Sequence, residues 1–560
     1  MNRRVLTLLC AAWALCVANF VLSGPALAQK HAEHAAAAAK AKPTAALMTG
    51  YGNWHHPVTT KNAQAQAFFD QGLRQIYAFN HDEAARSFQR AGELDPKLAM
   101  AFWGVAEAVG PNYNDPASDD RFKQAHAAIE KAQSLAGEAS ESDKAYIAAL
   151  AKRFPGGNAD RRAALEQYRD AMREVVKRFP DDLDAATLFA EAGMNLHPWG
   201  LWRPDGTPQE GTEEIVSTLE SVIRREPNHL GAIHYYIHSV EASNSPERAL
   251  AGANRLAELA PAAGHIVHMP AHIFIRTGDY EAALKTNQKA ALADQAYIKG
   301  GAAAGIYSMM YYSHNLHFIA MAAAMNGNYA ESRRGAQLLA ANVGPHVKEM
   351  PPLEGFMTVP MAVEVRFHKW NEILKILQPD PALKTTTVFW HFARGLALAG
   401  TGNLDGAEAE HKIVGEAEEK TSPDAVFQMP INNKTKDILK IAENVLGAKI
   451  SLAKNDMDAT VSQLRTAVAA QDGLKYDEPE DWFYPVRENL GAVLLKIGDY
   501  AGAEEAFRAD LATHPRNPRS LFGLEQALKS QEKSYDAGYV RKQFDANWKG
   551  TGRPTIDDLI

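Results

Sequence analysis

Cysteine is almost missing from this chain of 560 residues: there are two, Cys10 and Cys16, and both lie close to the N-terminus. They fall in a segment with a basic start (Arg3, Arg4), an apolar run from Val5 to Val21 and a small-residue site, Ala26-Leu27-Ala28. That order predicts a signal peptide over 1–28, cleaved between Ala28 and Gln29. The product would contain no cysteine, which excludes disulfides, thiolate metal sites and a cysteine nucleophile. Long apolar runs are also lacking after residue 28, so no membrane span is expected once the signal is removed. Positive charge is not in excess either. Lys and Arg number 59 against 67 Asp and Glu, and losing Arg3 and Arg4 takes the formal charge from −8 to −10. A general nucleic-acid or anionic-membrane partner is therefore not expected. No P-loop, dinucleotide fingerprint or nucleophile elbow occurs. The absences leave an exported, acidic, disulfide-free protein, periplasmic or secreted.

What is present is helical periodicity. Residues 29–61 begin as an alanine- and lysine-rich leader, read as disordered, and end in Trp54-His55-His56-Pro57, which could fold back as an N-terminal cap. From Asn62 onward, apolar residues recur with helical spacing between turns such as N-H-D, G-D-Y and G-N-Y. The segment QGLRQIYAFNHDEAARSFQRAGELDP carries Gly72, Ala84, Phe88, Ala91 and Pro96 at the spacing of a 34-residue helix–turn–helix unit. ENLGAVLLKIGDYAGAEEAFRADLATHP repeats it with Leu490, Gly491, Ala503, Phe507 and Pro515. Two further units fit on Ala249 and Pro261, and on Ala271, Ala283 and Ala290. Small residues let paired helices approach, an aromatic fills the space between them, and proline stops the second helix. One pair cannot bury its apolar face alone, so pairs stack.

These segments resemble the tetratricopeptide repeat. The chain as a whole resembles a bacterial family of exported tetratricopeptide proteins, through HPVTTKNAQAQAFFDQGL (56–73), FNHDEAARSF (79–88), GPNYN (110–114), the HYYIH and HMPAHI blocks and YPVRENLGAVLL (484–495). The resemblance implies an all-α, right-handed superhelical solenoid of about a dozen helix pairs, and brings no activity with it. N-terminal and central repeats would occupy 62–344, degenerate repeats 345–432, and C-terminal repeats with a polar cap 433–560. Four loops interrupt the pattern: GPNYNDP (110–116), HPWGLWRPDGTP (197–208), MPPLEGFMTVP (350–360) and KYDEPEDWFYP (475–485). Each reads equally as a functional loop or as a packing wedge.

Histidine concentrates in the centre. His234 and His238 are four apart with Glu241 three further on, His265, His268 and His272 follow at three and four, and His314 and His317 at three. Each spacing puts the imidazoles on one helix face. His234 and His268, and His238 and His272, are each separated by 34 residues, one full repeat. In the repeat frame that the resemblance implies, all seven histidines and Glu241 fall on the first-helix face that lines the concave groove. Glu107, Glu191, Tyr235, Tyr311 and Met321 extend that face.

Three readings are open. The groove could hold a transition-metal ion (Zn, Cu or Fe) on neutral imidazoles with help from Glu241; Met269, Met309, Met310 and Met321 nearby would suit copper. It could be a metal-free groove for a protein or peptide partner. Some histidines could simply pack at helix contacts, with Pro270 bending one helix. A metal-dependent enzyme using the same cluster is a further alternative, although the H-E-x-x-H pattern is absent. Cleavage at the Ala28/Gln29 site makes Gln29 the first residue of the exported protein, which N-terminal sequencing checks.

Overall fold

A computed structural model describes residues 45–157, 159–301, 306–428 and 433–560. The signal peptide and the leader up to residue 44, with His31 and His34, lie outside the described residues. The N-terminal helices are α1 (Ala63–Tyr77), α2 (His81–Leu94), α3 (Ala99–Val109), α4 (Asp119–Leu135), α5 (Glu141–Arg153), α6 (Arg161–Arg178), α7 (Leu183–Met194) and α8 (Thr212–Arg225). The central ones are α9 (Leu230–Val240), α10 (Leu250–Leu259), α11 (Gly264–His268), α12 (Pro270–Arg276), α13 (Tyr280–Lys299), α14 (Ile306–Met325) and α15 (Tyr329–Val343). Then come α16 (Val359–Arg366), α17 (Trp370–Ile373), α18 (Lys384–Gly400), α19 (Leu404–Lys420) and α20 (Thr435–Ala453). The chain closes with α21 (Met457–Asp472), α22 (Val486–Lys496), α23 (Tyr500–Thr513), α24 (Pro518–Ser530) and α25 (Ser534–Asn547). Counting α11 and α12 as one helix broken at Pro270 gives twelve consecutive pairs among the described residues. The fold is an all-α solenoid of tetratricopeptide-like repeats. Leu47–Ile560 forms one compact unit, with the looser repeats of 345–432 inside it.

The repeat residues do what their sizes require. A Cβ on Gly72 or Gly104 would lie 2.6 or 2.3 Å from the Phe88 ring, so two glycines on successive first helices clamp that aromatic. Gly491 and Gly523 hold Phe507 in the same way, at 2.6 and 2.1 Å. Burying each ring contributes about 2–3 kcal/mol. Turns within the pairs are also uniform. Gly278, Gly327, Gly402 and Gly498 take left-handed backbone, and the next residue (Asp279, Asn328, Asn403 or Asp499) caps the second helix through its side chain.

The solenoid closes on itself. At the N-terminal side, the stretch from Leu47 to Lys61 contacts distant segments: Ala262 N–H donates to Gly50 O at 2.9 Å and Thr59 N–H to Asp143 at 3.0 Å. From the other end, Lys549 N–H donates to Asn326 O at 2.7 Å. Arg366 pairs with Glu488 at 3.1 Å, and Arg519 donates to Arg366 O at 2.9 Å.

Asp184 is the knot of the N-terminal closure. Its buried carboxylate accepts from Trp54 Nε1 at 2.9 Å and from the Tyr77 hydroxyl, faces His56 Nδ1 at 2.8 Å, and has His229 Nε2 at 3.3 Å. Burial works against an imidazolium at His56, but Asp184 outweighs it and raises His56 from 6.5 to about 9. A raised histidine contributes stability that is complete below pH 6.5 and lost as pH climbs through about 9. Chemical unfolding of wild type and His56→Gln at pH 6 and pH 10 should show that extra alkaline loss, on the order of 2 kcal/mol, in the wild type only.

Candidate functional site

Helices α9, α11–α12 and α14 are the first helices of three consecutive pairs, and they bring six of the seven histidines together. His234, His238 and His265 form one group whose ligand atoms lie within 4.8 Å of one another; His268, His272 and His314 form a second. Pro270 supplies the bend between them. It has no N–H to donate and divides α11 from α12, and His272 N–H bonds to Met269 O at 3.2 Å in place of a regular helical partner. All but the partly buried His314 are buried.

Their hydrogen bonds fix where the ring protons sit. His234 Nδ1 donates to Tyr77 O at 2.6 Å, His238 Nδ1 to Glu241 Oε1 at 2.9 Å and His268 Nδ1 to Asn287 Oδ1 at 2.7 Å. Asn287 is itself oriented by donating to Ala283 O at 2.9 Å, so its oxygen faces the ring. His272 Nδ1 lies 2.7 Å from Glu241 and 3.0 Å from Glu478. Acceptors thus hold the Nδ1 side of three rings, those of His234, His238 and His268, and carboxylates crowd the Nδ1 of His272, so that Nε2 of each turns toward the centre. There His268 Nε2 faces His272 Nε2 at 2.8 Å, and His265 Nε2 faces His234 Nε2 at 3.1 Å. His238 Nε2 and His265 Nδ1 have no hydrogen-bond partner.

Neutral rings cannot satisfy this arrangement. In the His268–His272 pair, a His272 proton on Nδ1 leaves both Nε2 lone pairs opposed, and a proton on Nε2 satisfies the contact but turns the Nδ1 lone pair toward two carboxylates. In the other pair, a proton on His265 Nε2 satisfies the contact but leaves its Nδ1 lone pair buried alone. A proton on His265 Nδ1 instead leaves two lone pairs opposed. Each buried unsatisfied group costs about 1–3 kcal/mol. A positive charge between the rings, proton or metal ion, removes the conflict. Burial and neighbouring imidazoles hold His234, His265, His268 and His314 well below the usual histidine range. Burial also lowers His272, but Glu241 and Glu478 outweigh it and raise the ring to about 10. Glu241 is opposed by burial and held down to about 2 by His272 and His238.

A cavity of about 90 Å³ opens onto His238, His265, His272 and His314. Phe79, Trp199, Tyr311 and Phe356 give it aromatic walls, and Asn112, Asn114 and Arg121 line its polar part. Asn114 ties two of the walls together: Trp199 Nε1 donates to its oxygen at 3.2 Å, and its amide donates to Tyr311 at 3.3 Å. Phe79 occupies the turn position that is glycine in four other repeats, with φ +53°. A left-handed non-glycine residue costs roughly 1–2 kcal/mol, and here the ring packs on His234 at 4.4 Å and His265 at 5.2 Å. Trp199, at φ +59°, shows the same strain. The turn position of Phe79 is also left-handed and non-glycine at His368, Asn455 and Glu532, so the conformation belongs to the repeat turn.

Several expected residues sit elsewhere. His317 is buried against Phe356 and Phe483 and joins neither histidine group; the third repeat delivers only His314. Glu107 and Glu191 do not line the cavity. They flank the fully buried Arg153, which bonds Glu107 at 3.1 Å, while Glu191 accepts from Asn195 at 2.6 Å. The repeat frame placed them correctly on first helices, but an arginine from α5 claims them as a core ion group. Tyr235 packs behind His234 on Tyr77 and Phe79, and Met321 lines a separate cavity. His197 is not among the cavity residues. The spacing did not point to Glu478, Asn287, Phe79 or Asn114; the only signal was that three of them lie in the quoted loops or turns.

No family model matches the chain, and no curated protein matches it in sequence. Among solved structures it is similar to the human IFIT1 dimer with m7Gppp-AAAA, at TM-score 0.33 and 12% identity over 87% of this chain and 91% of that one. It is also similar to the Cut9–Hcn1 hetero-tetramer of APC/C (0.30, 11%, 88% and 78%) and to the P58(IPK) TPR domain (0.22, 12%, 84% and 99%). At these scores nothing about what those proteins bind passes to this chain.

His317 offers a clean titration, because its depression to about 3 has burial as its cause. The unfolded ring protonates at about 6.5, so metal-free protein loses stability from this residue as pH falls from 6.5 toward 3. His317→Leu should reduce that acid loss by roughly 2 kcal/mol in denaturant unfolding curves.

Proposed function

We propose that this is an exported tetratricopeptide-like protein that holds a pair of transition-metal ions inside its solenoid, one on each group of three imidazoles. The two facing pairs of Nε2 atoms carry the reading. Imidazoles about 2.0–2.1 Å from an ion at tetrahedral angles stand about 3.3–3.4 Å apart, so contacts of 2.8 and 3.1 Å need open by only about half an ångström. Tyr77 O, Glu241 and Asn287 supply the outer contacts that orient metal-binding histidines. All-nitrogen donor sets suit Zn²⁺ or copper better than Fe²⁺, whose mononuclear sites commonly add a carboxylate.

Three protein ligands leave a coordination position open, the ligand count of catalytic rather than structural zinc sites. With the cavity against four of the histidines, this favours a metal-dependent enzyme acting on a small molecule as the second reading. A peptide adaptor fits less well, since the histidines are buried or partly buried. Any protein partner would dock on the outer helices of the scaffold.

Untagged protein purified from the periplasm should contain at least two transition-metal ions per chain by elemental analysis. His234→Ala/His268→Ala should lose the two held by the imidazole groups while keeping its helical circular dichroism. No metal in the wild type, even after refeeding with Zn²⁺, Cu²⁺ and Fe²⁺, overturns the proposal.

A further inference from the structure

The far side of His272 carries a second, chemically different arrangement. Its Nδ1, Glu241 and Glu478 have ligand atoms within 4.8 Å of one another, all buried. Glu241 Oε2 is 2.7 Å and Glu478 Oε2 3.0 Å from Nδ1. Neither contact is a hydrogen bond in direction: Nδ1, Glu241 Oε2 and both Glu478 oxygens lack a partner in hydrogen-bond geometry. The carboxylates crowd around the nitrogen instead of lying along its N–H. Glu241 is divided, with Oε1 engaged by His238 and Oε2 turned to this point. Glu478 arrives from the loop at 475–485, at the opposite end of the sequence from α9, and is 3% exposed.

We infer that Glu241, Glu478 and His272 Nδ1 form a third cation subsite, of two oxygens and one nitrogen, that takes a divalent ion such as Mn²⁺ or Zn²⁺. Three arguments support it. Buried charges must be paired or coordinate a metal, and this region concentrates carboxylates: Asp477 and Asp481 flank Glu478 in the loop, and both are buried. Arg276 makes no ion pair with either carboxylate: its guanidinium donates to the backbone oxygens of Glu241 and Ser243 and acts on Glu478 only through its charge. The subsite also has its own approach. Glu478, Asp477, Glu480 and Met321 line a cavity that shares no residue with the one in front of the histidines.

The donor set is harder than the imidazole groups and selects oxygen-loving ions. An ion on Nδ1 replaces the ring proton, which leaves to solvent. With an ion also on Nε2, His272 becomes a bridging imidazolate coupling the third ion to the second imidazole group. The subsite extends the metal-pair reading, but two of its three donors lie outside that pair.

The test uses the full chain, stripped of metal, then loaded with Zn²⁺ or titrated with Mn²⁺ and followed by electron paramagnetic resonance. Wild type should take up one more ion than Glu478→Gln, an isosteric change, and Glu478→Asp should regain part of the difference. Equal uptake by wild type and Glu478→Gln, with ions on the imidazoles, overturns the subsite and leaves the metal pair standing. Glu478-dependent uptake of one Mn²⁺ with none on the imidazoles supports the subsite and overturns the pair. Uptake of no ion by any of the three proteins overturns both.

Discussion

Two imidazole nitrogens that face each other in a buried interior need a proton or a metal ion between them, and this solenoid builds two such encounters at its centre, at 2.8 and 3.1 Å. The groups around them hold the rings in that arrangement. Tyr77 O, Glu241 and Asn287 each accept a ring proton on the outer side, so rotating or re-protonating a ring breaks another buried bond. Pro270 breaks the helix between His268 and His272. A cation between the rings turns each of these constraints from a cost into preorganisation.

Burial of the cluster follows from closure of the superhelix. An open concave groove would hydrate the imidazoles and remove any need for an ion. Here the turn after α1, the loops at 110–116 and 197–208, and Phe356 wall the histidines in, while Glu478 closes the far side.

Most of the architecture was readable in the sequence because repeats impose spacing. Gly72, Phe88, Gly491 and Phe507 mark helix pairs whose glycine–aromatic clamps follow directly from residue size. The histidine faces were readable for the same reason, since His234/His268 and His238/His272 recur one repeat apart. Spacing along helices, however, carries no record of which distant residue arrives against them. Arg153 captured Glu107 and Glu191, and Phe356 and Phe483 packed around His317. Glu478 came to His272 from a loop whose sequence allowed packing and function equally. The cavity in front of the histidines is walled by the turn after α1 and by residues of the loops at 110–116, 197–208 and 350–360, and no local pattern encodes that.

The central claim is that the facing Nε2 pairs exist to hold metal ions, and anomalous diffraction from crystals of the natively purified protein, recorded at the zinc and copper edges, tests it most directly. The account predicts two strong peaks, one among His234, His238 and His265 and one among His268, His272 and His314. A map with no peak at either group, in fully ordered protein whose Nε2 pairs remain in contact, would show that a shared proton supplies the missing charge and would contradict it.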